Sequence, residues 1–183
     1  MTLVFLLEEA SMKAVLDIIL PQILPESVTF RTIPHCGKSD LEASIPHKLK
    51  AWREPDTRFV IVRDQDNGDC MEIKSALKKL VEPYKRKVLI RIVCKELEAW
   101  YFGDLMAVSK AYGKNVQGLA RKSRYRIPDK INNPKKELKA LFPKHQQLSG
   151  ARKIAVHMNI ENNSSESFNQ FISGVRKLAV SSE

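Results

Sequence analysis

Two short stretches decide the reading of this chain: Leu3-Val-Phe-Leu-Leu7 followed at once by Glu8-Glu9, and Phe59-Val-Ile-Val-Arg-Asp64-Gln-Asp66. Each is an unbroken apolar run of strand length that ends in acid. A continuous apolar run of this kind fits a strand covered on both faces, as in a parallel sheet flanked by helices. In open parallel sheets, ligands bind beyond the carboxyl ends of the strands, where both runs place their carboxylates.

Working outward from these stretches, strands and helices alternate. Met12, Val15, Leu16, Ile19 and Ile23 recur at helical spacing after the first strand. Val28–Ile33 reads as a second strand. Ser39 is the expected N-cap of a helix from Asp40 to about Trp52, strained or broken at Pro46. Met71–Val81 reads as a helix, Val88–Val93 as the fourth strand, and Glu96–Val108 as one further helix. Near the end, Asn163 with Glu166 has the spacing of a capping box, ahead of Phe168, Phe171, Ile172, Val175 and Leu178. The expected architecture is therefore α/β: a mostly parallel sheet flanked by helices, with a basic helical and loop insertion and a C-terminal helix. The 183 residues are read as one domain, with a core over 1–108, the insertion over 109–153 and a helical closure over 154–183.

The boundaries of the insertion come from charge. Residues 1–70 hold 8 Lys/Arg and 11 Asp/Glu, whereas 71–183 hold 23 and 10, within an overall charge of +10. Between Ser109 and Lys153, 13 cations face only Asp129 and Glu137. Tyr112, Tyr125, Ile127, Leu138, Leu141 and Phe142 are interleaved, so the segment can order itself and present its cations as a face toward nucleic acid. The candidate contacts are Arg121, Lys122, Arg124, Arg126, Lys135, Lys136, Arg152 and Lys153. Lys38, in the glycine turn after the second strand, is a further candidate for a phosphate at the acidic edge.

Other classes are disfavoured. The longest apolar run falls far short of the roughly 20 residues of a membrane span. Glu8 and Glu9 precede any positive charge, unlike a signal peptide, so a cytoplasmic protein is expected. Cys36, Cys70 and Cys94 have neither zinc-knuckle nor redox spacing and are read as reduced, buried thiols. Trp52 and Trp100 read as core residues, and the four histidines lack ligand spacing. Neither phosphate-loop nor dinucleotide-binding glycine motifs occur. A phosphoacceptor receiver would need a partnering Lys and Thr/Ser that cannot be assigned.

The chemistry of the acids is specific. Asp64 and Asp66 alternate onto one side of an extended segment, and Glu8 arrives from a separate strand. Such a cluster repels itself unless it holds a hard cation, which points to Mg²⁺ or Mn²⁺ on Glu8, Asp64 and Asp66. Glu9, Glu96 and Glu98 also suit helix starts, whose positive ends favour acids.

The pattern Leu6-Leu-Glu8 with Val60-Ile-Val-Arg-Asp64-Gln-Asp66 resembles the Toprim fold, in which Glu ends the first strand and Asp-x-Asp the third. Gly37-Lys-Ser-Asp-Leu41, Glu96-Leu-Glu-Ala-Trp100, Ser149-Gly-Ala-Arg-Lys153 and Ser165-Glu-Ser-Phe168 are similar to a small bacterial Toprim-like family. Its members are often encoded beside ABC-type or overcoming-lysogenization-defect-like ATPases in defence clusters. The resemblance implies Glu8, Asp64 and Asp66 as catalytic metal ligands and Glu98 as a further ligand. It implies a Mg²⁺- or Mn²⁺-dependent nuclease acting with such an ATPase in phage defence. Toprim proteins commonly have Gly after the first Glu, where this chain has Glu9. The topoisomerase form Asp-x-Asp-x-Glu is incomplete because position 68 is Gly, so strand passage by tyrosine is not expected. The alternative is a catalytically degenerate nucleic-acid-binding or regulatory subunit of an ATPase complex. Oligomeric state is left open, a homo-oligomer included.

Overall fold

In the computed structural model, which describes residues 1–180, four strands form one parallel sheet in the order β2-β1-β3-β4. They are β1 (Thr2–Leu7), β2 (Thr29–Pro34), β3 (Thr57–Asp64) and β4 (Val88–Val93). Helices α1 (Ala10–Ile23), α2 (Lys38–Ala51) and α3 (Cys70–Val81) connect them, and α4 (Glu98–Phe102), α5 (Leu105–Tyr112), α6 (Pro134–Leu141), α7 (Gln147–Ala155) and α8 (Glu166–Val180) follow. This is the α/β architecture expected from the two apolar runs. Among the described residues, no helix is long and apolar enough to cross a membrane.

The two central strands are the two quoted runs, and their side chains divide between two apolar layers. Leu3, Phe5, Leu7, Val60 and Val62 face a core with α1, α5, α7 and α8, while Val4, Leu6, Phe59 and Ile61 face α2 and α3. Both faces are covered, which is why neither strand alternates with polar residues. The edge strand β2 is more open, with Thr29, Arg31 and Pro34 exposed. On the first layer, α8 docks through Phe168 and Phe171, whose rings lie 5.3 and 5.1 Å from Trp100.

Several local expectations change. Helix α2 begins at Lys38, with Gly37 as N-cap at φ 96°, and runs unbroken through Pro46 to Ala51. Proline is accommodated because it costs one backbone bond and a local clash, which packing by the buried Leu41, Ile45 and Leu49 offsets. The helix expected over 96–108 is two, separated at Gly103. A Cβ there would lie 1.9 Å from Asn163 Oδ1, and the Gly103 carbonyl accepts from Ser164 N–H at 2.9 Å. Asn163 is thus occupied bracing the end of α4, and the cap of α8 is Ser165, whose Oγ accepts from Phe168 N–H at 3.1 Å. The thiols are free but not buried: Cys36 is exposed, and Cys70 and Cys94 are half-buried. Trp100 is in the core as expected, whereas Trp52 is only half-buried.

The cationic segment is docked on the first layer. It consists of short 3₁₀ turns followed by α6 and α7, and it contributes Ile131, Leu138, Phe142, Ala151 and Ile154 to the core beside α1. Its acid Asp129 accepts from Ser165 Oγ at 2.6 Å and from Ser167 N–H at 2.8 Å, tying the segment to the start of α8. Residues 181–183 of the expected C-terminal closure lie outside the described residues.

Candidate functional site

The strand order has one switch point. From β1 the chain steps outward to β2, then crosses back to β3 on the other side of β1, so the connections diverge above the carboxyl ends of β1 and β3. A crevice forms at such a point. Leu7 is in register with Val62, so Glu8 comes level with Arg63 and one residue short of Asp64. Glu8 Oε2 accepts the backbone N–H of Asp64 at 3.0 Å.

Asp64 is buried, and its Oδ2 takes a long 3.4 Å hydrogen bond from Leu97 N–H, at the turn into α4. Burial raises its carboxyl pKa well above the usual value, and Glu8, Glu98 and Glu9 push it further. Glu98, at the first position of α4, is only 2% exposed, and burial lifts it to about 7 against the opposing pull of nearby Lys135. Burial also raises Glu8, with Asp66 and Glu9 adding to the rise and the Asp64 N–H and Arg63 opposing it. Asp64 is therefore the acid on which the others converge, with Glu8 and Glu98 both opposing its charge. Asp66 sits at the lip in the left-handed backbone region, φ 53°, held by a 2.8 Å bond from its N–H to the Lys95 carbonyl. Its carboxylate pairs with Lys38 Nζ at 3.6 Å, which puts Lys38 at the acidic edge.

Lys38 reaches that place because the turn before it is laced to β1. His35 donates its backbone N–H and directs Nδ1 to the Leu7 carbonyl, at 2.9 and 2.8 Å, and Gly37 N–H donates to the Glu8 carbonyl at 2.9 Å. His35 Nε2 is held in turn by Ser44 Oγ at 2.6 Å.

The neighbouring acids do different work. Glu9 precedes α1 but caps no backbone N–H; its Oε1 accepts from Ser11 Oγ at 2.6 Å and from Gln147 Nε2 at 2.5 Å, joining the acidic edge to α7. Glu96 Oε2 accepts from Lys135 N–H at 2.9 Å, at the start of α6. Gln147 and Arg63 are the contributors absent from the sequence reading. Gln147 is 138 residues from its partner, with no local signal, whereas Arg63 lies inside the quoted motif and pairs with Glu42 at 3.2 Å.

The cations divide by place. Arg124, Arg126 and Lys136 line one hollow, and Lys135 and Lys136 line the adjoining one beside Glu96. Arg121 and Lys122 are exposed in the turns before that hollow. Arg152 and Lys153 are exposed on α7, with Arg152 lining a separate groove against Lys13 and Asp17 of α1.

Among the described residues, no three His, Cys, Asp or Glu side chains form a ready-made cage for a metal ion. The donor set nevertheless fits a hard cation in kind: all the candidate ligands are carboxylates, and burial raises the pKa of three of them. Fold and crevice define a class: a parallel α/β protein with an acidic centre at its topological switch point and a cationic segment beside it. The chain belongs to the family described as a domain of unknown function, DUF4276, whose profile matches residues 7–176. That match runs through the strand ends and the cationic segment alike. No curated protein and no solved structure matches the chain.

Proposed function

We propose that this chain is a metal-dependent nuclease of the Toprim-like type, hydrolysing phosphodiesters of DNA or RNA. Glu8, Asp64 and Asp66 would hold one or two Mg²⁺ or Mn²⁺ ions, with Glu98 as a further ligand. The observation that carries this reading is the buried Asp64 carboxyl at the switch-point crevice, with half-buried Glu8 bonded to its backbone N–H and both Glu8 and buried Glu98 repelling it, a repulsion a divalent cation would relieve. A cation bound there would polarise a phosphodiester oxygen and activate a water. The protein's own contribution is placement. The Asp64 N–H fixes one Glu8 oxygen, the laced turn 35–37 holds Lys38 over Asp66, and Lys135 stands near Glu98 to receive a phosphate. The Toprim-like resemblance further suggests an ABC- or overcoming-lysogenization-defect-like ATPase as partner in phage defence.

The test is cleavage of single- and double-stranded DNA and RNA with Mg²⁺ or Mn²⁺. Asp64→Asn and Glu8→Gln are expected to lower the rate at least about a hundredfold, the scale of removing a metal ligand or catalytic group. Activity unchanged in both variants sinks the proposal. A second reading, a non-catalytic nucleic-acid-binding subunit of an ATPase complex, is favoured by two observations. Lys38 already neutralises Asp66, and Glu9 stands where Toprim proteins carry the glycine of the turn. Binding that survives chelation, with no cleavage even beside the ATPase, would establish it.

A further inference from the structure

Resting on the nuclease reading and deepening it, we infer that the substrate is a single nucleic-acid strand, taken into the hollow between the 3₁₀ turns at 123–130 and α6. That hollow, about 620 Å³, is lined by Arg124, Arg126, Lys130 and Lys136 together with the amides of Asn132 and Asn133. A second hollow of about 510 Å³ adjoins it, sharing Asn133 and Lys136 and adding Lys135 and Lys139 with Glu96 at its end. Together they present six cationic side chains against two carboxylates, Glu137 and Glu96.

The partners of these cations separate structural from available charge. Arg124 is bound to Glu137, which also accepts from Tyr125 Oη at 2.8 Å, and Lys139 Nζ donates to the His145 carbonyl at 2.6 Å. Those two cations hold the walls together. Arg126, Lys130 and Lys136 are exposed, and their side chains make no hydrogen bond or ion pair among the described residues. Free cations and amide donors around one concavity suit phosphate oxygens.

The shape selects the strand. Hollows of this size lie within the roughly 300–1,000 Å³ of sites that enclose small molecules, so nucleotides enter one or a few at a time. A duplex carries its phosphates on a convex surface and keeps its bases stacked inside. Ile127, 48% exposed and lining the first hollow between Arg126 and Lys130, offers an apolar surface to a base that only an unpaired strand presents. The second hollow also borders the segment that carries a candidate ligand: Lys135, which lines it, donates its backbone N–H to Glu96 at 2.9 Å, and Glu98 opens α4 two residues further on.

The experiment measures fluorescence polarisation of a labelled oligonucleotide of about 12 nucleotides, a length within the usual site sizes for single strands, in EDTA. The full chain is compared with K130Q/K136Q and with K78Q/K79Q, a pair exposed on α3 across the sheet that removes the same charge. Circular dichroism confirms that each variant folds. The expected result is single-strand binding at least about tenfold tighter than binding to a hairpin duplex of equal length. K130Q/K136Q should weaken it about tenfold and reduce the salt slope by about 0.7 for each phosphate no longer neutralised, with K78Q/K79Q within about twofold of the parent. Equal weakening in the two variants, equal affinity for duplex, or competition by a nucleoside monophosphate at matched phosphate concentration would overturn the inference. Cleavage separates the two claims: metal-dependent cutting unaffected by K130Q/K136Q removes the hollow and keeps the nuclease. Strand binding at the hollow with no cutting under Mg²⁺ or Mn²⁺ keeps the hollow and removes the nuclease.

Discussion

Gly150, in α7, shows how closely the cationic segment is fitted to the core. A Cβ at that position would lie 2.2 Å from His145 Cε1, 2.3 Å from His145 Nδ1 and 2.8 Å from Tyr112 Oη. Gly150→Ala must therefore push His145 away from the phenol it bonds, and should cost about 2 kcal/mol in denaturant unfolding. His145 itself gives a pH dependence. Burial lowers its pKa, and Lys139 and Lys135 lower it further, so the folded state favours neutral imidazole. A group depressed on folding contributes stability above its unfolded value of about 6.5 and loses it as pH falls toward the folded value. Raised on folding, Glu98 and Asp64 gain stability over the same range, so the His145 contribution is read as a difference: in thermal melts between pH 7.5 and 5, His145→Gln should become more stable relative to the parent as pH falls. Equal slopes would show that His145 does not titrate as its surroundings require.

Among the elements, the attachment of the insertion to α8 makes the sharpest prediction. Ser165 Oγ caps Phe168 N–H while donating to Asp129, and Asp129 accepts Ser167 N–H as well. Ser165→Ala and Asp129→Ala should each cost about 1–2 kcal/mol, the scale of removing an N-cap. Because they share one network, a double-mutant cycle should return a coupling of about 1 kcal/mol rather than simple addition. The elements also divide into those that local sequence specifies and those it does not. The β1 and β3 runs declared doubly covered strands, and Val88–Val93 has the bounds expected of it, because buried strands carry their signal in every residue. The capping box at Asn163 and the unbroken helix at 96–108 failed for one shared reason. Asn163 and Gly103 are used against each other across 60 positions, and local spacing does not contain that contact.

For the whole molecule, charge separation is the organising feature. An acidic centre lies at the switch point of the sheet, and a basic segment packs on one face of that sheet, tied by Lys135 N–H to Glu96, two residues before Glu98. The acids were legible because strand ends in a parallel sheet have a known place, and Lys38 because its turn follows β2. The roles of Glu9 and Gln147 were not, since their bond joins the first strand end to the last helix of the insertion. Metal-free Asp64→Asn should be at least as stable as the parent, because it removes a buried charge pressed by Glu8 and Glu98. In the parent, Mn²⁺ at about a hundred times its dissociation constant should add about 2.7 kcal/mol, and in Asp64→Asn little or nothing. Differential scanning fluorimetry reads both.

The central claim is that Glu8, Asp64 and Asp66 hold the ion. Anomalous diffraction from crystals soaked in Mn²⁺ tests it most directly. The account predicts a peak bridged by Glu8 and Asp64 or Asp66, within about 2.0–2.6 Å of carboxylate oxygens, the range of hard-cation coordination. A crystal that binds Mn²⁺ elsewhere while Lys38 keeps its place on Asp66 would contradict it.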